Sequence, residues 1–106
     1  MRGDVYRLRA ARDTVGHEQK GHRFAVIVQS DFLSHLSTVL VAPTSTSASA
    51  TFFRPDIELN GRKTRVMVEQ TAAIDPMRLG AFAGRLSLYE LDQVDTALRT
   101  MLALPR

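Results

Sequence analysis

The sequence predicts a mainly β domain closed by one C-terminal helix. Two continuous apolar runs of strand length, residues 24–28 and 38–42, read as central strands buried on both faces. Asn60-Gly61 between two strand-like segments marks a hairpin. Ser87-Leu88-Tyr89-Glu90 is a capping box placed before a sustained helical periodicity. Short strands at close spacing followed by a terminal helix fit a small, strongly bent sheet or partly open barrel.

Each element has its own signal. Residues 5–10 alternate, with Tyr6, Leu8 and Ala10 on one face and Arg7 and Arg9 on the other. Residues 11–22 form a polar loop with two glycines, leading into the first apolar run. Ser30-Asp31 has turn chemistry, and residues 32–37 are expected to be a loop or a single helical turn. The second run is expected to stop at Pro43, which cannot donate to a ladder. The hydroxyl-rich residues 44–51 are then expected to form an exposed loop. Residues 52–59 suit an edge strand because of Pro55, and the hairpin leads into a strand over 64–70. Asp75-Pro76-Met77 is a turn and residues 82–86 a last short strand. From the capping box, Leu88, Leu91, Val94 or Asp95, Leu98, Met101 and Leu102 recur at helical spacing until Pro105, a stripe that suits core or subunit interface.

Composition narrows the function classes. A chain of 106 residues with 44% apolar and 24% charged residues predicts a single domain over residues 1–106, with room for one core. The absence of Cys excludes a disulfide scaffold, a thiol nucleophile and cysteine-ligated zinc, and suits a reducing cytoplasm. The charged start and the lack of a long apolar run argue against a signal peptide or a membrane span. The net charge of +3 is modest. The surplus sits in residues 1–23, where Arg2, Arg7, Arg9, Arg12, Lys20 and Arg23 outnumber Asp4, Asp13 and Glu18, with a second basic cluster at Arg62, Lys63 and Arg65. A localised basic patch is the footprint of a polyanion binder, although such a charge also serves solubility.

Nucleotide-loop, zinc-protease and Cys/His signatures are absent, and His17 with His22 lacks an obvious third ligand, so no metal site and no cofactor is expected. What remains is polar chemistry flanking the two apolar runs: Gly16 to Arg23 before the first, Pro43 to Thr46 after the second. Antiparallel pairing of the runs is expected to separate these two groups and parallel pairing to align start with start; one sequence does not give the strand direction, and a curved sheet could still bring the loops together. If they converge, they offer a guanidinium, imidazoles, a carboxylate and hydroxyls. That inventory suits attack of an RNA 2′-hydroxyl on its own phosphate without a metal. Arg23 fits the phosphate clamp, Ser45 a hydrogen-bond donor to the phosphate, and His17, His22 or Glu18 the proton carriers. Solvated loop histidines and a merely flexible Ser/Thr run fit the same residues.

An ordered series of short motifs spans nearly the whole chain: Arg2-Gly3-Asp4-Val5-Tyr6, Gly16-His17-Glu18-Gln19, Gly21-His22-Arg23, Val41-Ala42-Pro43 with its hydroxyls, Val68-Glu69-Gln70, Ile74-Asp75, Leu79-Gly80, Gly84-Arg85-Leu86-Ser87 and Val94-Asp95. In order and spacing this resembles the MazF/PemK family of type II toxin–antitoxin ribonucleases, related in fold to CcdB. The resemblance implies a small SH3-like β-barrel with a C-terminal α-helix, usually a homodimer. It also implies metal-independent cleavage of single-stranded RNA in the cytoplasm, and inhibition by a cognate acidic antitoxin. It places the catalytic pair on Arg23 and Ser45, and the acidic residue of the Gly-x-Glu-Gln loop on Glu18. RNA contacts are expected from His17, Glu18, Gln19, Lys20, His22, Thr44, Thr46 and Gln70. The chain departs from the pattern at Phe24, where the family usually has Pro, and at Ser45, where it usually has Thr. A CcdB-like topoisomerase binder and a non-catalytic RNA-binding barrel are the alternatives that share this fold.

Overall fold

A computed structural model of the chain describes residues 1–9 and 23–105. Among the described residues seven strands and one α-helix follow in order: β1 (Asp4–Leu8), β2 (Arg23–Ile27), β3 (Val39–Ser45), β4 (Asp56–Leu59), β5 (Arg62–Val66), β6 (Ala72–Ile74), β7 (Leu79–Arg85) and α1 (Leu88–Leu102). All recorded strand pairs are antiparallel, in the order β4-β5-β3-β2-β1-β7, with β6 added on β3. The sheet curls into a half-barrel. Register shifts between β1 and β7 on both sides of Tyr6 are bulges of the kind that bend a strand and increase its twist.

Strand β3 runs further than its sequence suggests. It passes through Pro43 to Ser45, so Thr44 and Ser45 belong to the strand and the loop begins at Thr46. The reason lies in which edge Pro43 faces. Its carbonyl accepts from the N–H of Met67 at 2.8 Å, on the side away from β2. A residue's N–H and C=O point to the same side of a strand. The donor that proline lacks therefore falls between the Val41–Ala72 pair with β6 and the Thr44–Val66 pair with β5, where no ladder bond is required.

The hairpin and the helix follow their signals. Asn60 and Gly61 take φ of 54° and 80°, the left-handed pair of a tight hairpin turn, and join β4 to β5 through the Leu59–Arg62 pair. The β5 strand ends at Val66, and residues 68–70, expected to continue it, form a short 3₁₀ turn instead. The β4 strand lies at the sheet edge directly after Pro55. At α1 the Ser87 hydroxyl accepts from Glu90 N–H at 3.1 Å and the Glu90 carboxylate accepts from Ser87 N–H at 2.9 Å. The helix closes with Ala103 in the left-handed conformation, two residues before Pro105.

The main core lies inside the curl. Val5, Val26, Val28, Ala42, Ile57, Leu59, Val66, Val68 and Leu86 meet Val94 and Ala97 of α1, with Leu91 and Leu98 packed at their flanks. The helical stripe is therefore centred on Val94 and Ala97, while Leu88 and Leu102 at its two ends are exposed. Arg2 pins the helix to the sheet, donating to the Val28 carbonyl at 2.9 Å and to Asp95 at 2.6 Å. A smaller apolar layer on the outer face joins Ala25, Ile27 and Val41 to the half-buried Tyr6, Leu8, Val39, Ile74 and Leu79.

Candidate RNA-cleaving site

Antiparallel pairing brings the start of β2, with Arg23, to the same end as the hydroxyls after Pro43, contrary to the sequence-based expectation. The start of β2 lies beside the end of β3: Ile27 pairs with Val41, Val26 with Ala42 and Ala25 with Pro43. The recorded pairing ends at Ala25–Pro43; Arg23 stands two residues before Ala25 and Ser45 two residues after Pro43, so both lie at this end of the two strands and share its outer face by parity. On its other side Ser45 pairs with Arg65 of β5. Opposed residues in such a ladder have Cα atoms about 4.5–5.5 Å apart, with side chains on the same face. Ser45 and Arg65 are therefore direct neighbours across β3 and β5, with Arg23 at the nearby start of β2.

Strand parity separates the hydroxyls. Ser45 shares the outer face with Val41 and Pro43, and is half-buried. Thr44 has the parity of Ala42, turns inward and is only 6% exposed, which leaves little of it for a ligand to touch. Thr46 is exposed just beyond the strand. The Ser45 hydroxyl is oriented by its own loop: Oγ accepts from the Ser47 N–H at 3.2 Å and lies 3.2 Å from the Ser47 hydroxyl. Arg23 is half-exposed, and no ion pair with it forms among the described residues. Gln70 is exposed at the end of the turn Val68–Gln70, which the Met67–Pro43 bond seats beside the end of β3. His17, Glu18, Gln19, Lys20 and His22 lie outside the described residues.

Two arginines brace the loop that follows Ser45. Arg54 places Nε and Nη2 on Glu69 Oε2 at 3.0 and 2.7 Å, and donates from Nη1 to the Ser49 carbonyl at 3.2 Å. Arg65 pairs with Asp56 at 3.1 Å and donates to the Ala48 carbonyl at 2.8 Å. The hydrogen bonds from Arg54 are the main force holding the Glu69 carboxyl below its usual range, against an opposing push from burial. The second carboxylate oxygen of Glu69, Oε1, is buried without a protein partner. At the far end of the sheet, burial pushes the Asp4 carboxyl up, but hydrogen bonds from Arg85 and the Met1 amine more than offset it and leave it lowered. The sequence alone places Arg65 in a basic cluster and Glu69 in a motif, but does not give their bracing role. Arg54 and Glu69 are fifteen residues apart in sequence and meet only through the fold.

Among the described residues no group of three or more His, Cys, Asp or Glu side chains is gathered at one place. No helix among them is long and apolar enough to cross a membrane. An open cavity of about 200 Å³ lies toward the other end of β2 and β3, lined in part by Tyr6, Ile27, Gln29, Val39 and Leu79. It is remote in register from Arg23 and Ser45.

A curled antiparallel half-barrel carrying one C-terminal helix is the fold of MazF toxins. A mycobacterial endoribonuclease solved in complex with its cognate antitoxin has a TM-score of 0.81 to this chain at 20% identity, covering 100% of this chain and 97% of that one. MazF of Deinococcus radiodurans has a TM-score of 0.75 at 19% identity, covering 96% and 94%. In sequence, Endoribonuclease EndoA of Bacillus subtilis is 30% identical over 110 residues, covering 97% of this chain and 94% of the relative. Residues 1–102 match the family described as PemK-like, MazF-like toxin of type II toxin–antitoxin system, and the chain belongs to that family.

Proposed function

We propose that the protein is the toxin of a type II toxin–antitoxin pair and acts in the cytoplasm as a metal-independent endoribonuclease on single-stranded RNA. The observation that supports this reading is the antiparallel β2–β3 pairing, whose Ala25–Pro43 pair leaves Arg23 and Ser45 at the same end of the two strands. In the proposed reaction the RNA 2′-oxygen attacks the adjacent phosphorus and the bond to the 5′-oxygen breaks. The products are a 2′,3′-cyclic phosphate and a 5′-hydroxyl end. Arg23 neutralises the charge that builds on the phosphate oxygens, its planar fork matching them bidentately. Ser45 donates a hydrogen bond to the same phosphate, its hydroxyl already held in place by Ser47. Proton transfer falls to the residues of the 16–22 segment, His17, Glu18 and His22, with Gln19, Lys20, Thr44, Thr46 and Gln70 as further RNA contacts. The inward turn of Thr44 makes its part a supporting one.

The family places such toxins with an antitoxin, and the EndoA relative and the mycobacterial complex support both halves of the reading. The antitoxin is expected to compete for the cationic face with an acidic segment carrying apolar anchors. A homodimer completes the proposal: half-buried Tyr6 and Leu79 with exposed Phe82 form an apolar outer surface that a second copy would cover. The test is cleavage of a long single-stranded RNA in EDTA, with the ends mapped. Wild type should give 5′-hydroxyl fragments. Arg23→Ala should lower the rate on the order of 10²–10³-fold with an unchanged circular dichroism spectrum. Full activity of Arg23→Ala would remove the assignment.

A further inference from the structure

We infer that Phe52 is a stacking platform for a nucleobase of the RNA strand, held at the far end of the arginine-braced loop that begins after Ser45. The inference rests on the RNA-cleaving reading above and adds to it a residue that recognises bases. Phe52 is 77% exposed, a large aromatic ring left open to solvent. It is nevertheless held in place. Its ring meets Phe53 edge-to-face at 5.2 Å, and Phe53 packs against the inner core beneath the Arg54 guanidinium, 5.6 Å from its ring centre. The Arg54 N–H donates to the Thr51 carbonyl at 3.0 Å, closing a turn with Phe52 and Phe53 at its centre. Arg54 is in turn fixed to Glu69 and to the Ser49 carbonyl, so the turn is tied both to the core and to the loop that starts at Ser45.

The surroundings suit one occupant. Residues 44–53 carry no charged side chain, and the loop is flanked by Arg54 and Arg65, the latter bonded to the Ala48 carbonyl. Both arginines are paired with carboxylates, so the loop itself offers hydroxyls and an immobilised exposed ring without opposing negative charge, which suits the flat bases of a strand whose phosphates are anionic. Every base has a π-face, so such a platform binds single strands without needing to read sequence. Because the ring is already held by Phe53 and the turn, little of its freedom is lost on stacking.

The chain has no tryptophan, so Phe52→Trp introduces a single reporter at the platform. The probe is a 2′-O-methylated copy of an RNA that the wild type cuts, compared with an abasic strand of equal length and phosphate count. The indole emission of Phe52→Trp should be quenched by the base-bearing strand and not by the abasic one. In cleavage assays Phe52→Ala should raise KM about tenfold more than it lowers kcat, and Phe52→Tyr should restore most of that loss. Cleavage at the wild-type rate with no response of the indole, or an unchanged KM in Phe52→Ala, would overturn the inference and leave the enzymatic reading standing. RNA left uncut by wild type and variants alike would overturn both. Emission that responds to an acidic peptide or to protein concentration, and not to RNA, would assign the ring to a protein surface and overturn the platform.

Discussion

Glu69→Gln tests the brace on which the site depends. Two donors of Arg54 converge on one oxygen of Glu69, at 3.0 and 2.7 Å. Their side chains are 23% and 21% exposed, shielded enough from water for the pair to count in folding. A charge-assisted hydrogen bond contributes about 1.5–3 kcal/mol. Glutamine keeps a neutral acceptor for one of them, while its amide nitrogen enters the position of Oε1, buried and without a protein partner. The expected loss is about 2 kcal/mol, which at about 4–5 °C per kcal/mol lowers Tm by about 8–10 °C.

The pH dependence gives the prediction its sign. The Glu69 carboxyl is held below its ordinary value by Arg54. A carboxyl lowered in the folded state contributes stability above its unfolded value, and that contribution disappears as pH falls through the lower, folded value. Thermal unfolding followed by circular dichroism at pH 7 and in steps below pH 5 should therefore show wild type well above Glu69→Gln at neutral pH. The gap should narrow only once the pH drops below the unfolded glutamate value of about 4.3. Equal Tm values at pH 7, or a gap unchanged down to pH 3, would refute the reasoning. Arg54→Met in the Glu69→Gln background should cost less than Arg54→Met alone, since the charged pair is already gone and only the bond to the Ser49 carbonyl, the contact with Phe53 and a neutral contact with the glutamine remain to be lost.

Two further substitutions test how the helix is attached. Val94 is fully buried between α1 and the sheet, so Val94→Ala should cost about 2–3 kcal/mol in urea unfolding; a loss below about 1 kcal/mol would mean the helix is held elsewhere. Ser87→Ala removes one arm of the capping box and should cost about 1 kcal/mol, seen as a drop of a few degrees in Tm with RNA cleavage at low temperature unchanged.

The strongest sequence signals were local ones. Apolar runs, the Asn60-Gly61 pair and the Ser87–Glu90 box each act within a few residues, and each has its counterpart in the structure. Pro43 misled because its missing donor matters only on one edge of β3, and which edge is free depends on where β6 gives way to β5. The short β6, of sequence Ala-Ala-Ile, carries too little pattern to be seen alone and exists because β3 offers it an edge. At the site, sequence singled out Arg23 and Ser45 as types but had their geometry reversed: in an antiparallel pair the start of one strand meets the end of the other. Arg65 beside Ser45, and Arg54 on Glu69, are pairings that no local pattern announces.

The same handover on β3 explains why the site stands where it does. At Pro43 the strand changes outer partner, and its carbonyl takes the Met67 N–H in place of a ladder bond. That bond starts the turn Val68–Gln70, which buries Val68 in the core and brings Glu69 within reach of Arg54. Two residues after Pro43, Ser45 is thus held by strand pairing through its backbone, while the loop beyond it is held by Arg54 and Arg65 through carbonyls of residues 48 and 49. Because these bonds run to backbone oxygens, the loop side chains other than Ser47, whose hydroxyl meets that of Ser45, can change without loosening the frame. Under the proposed reaction a site gains from this separation: the strand end fixes the hydroxyl that would donate to the phosphate, and the loop supplies contacts that can be exchanged.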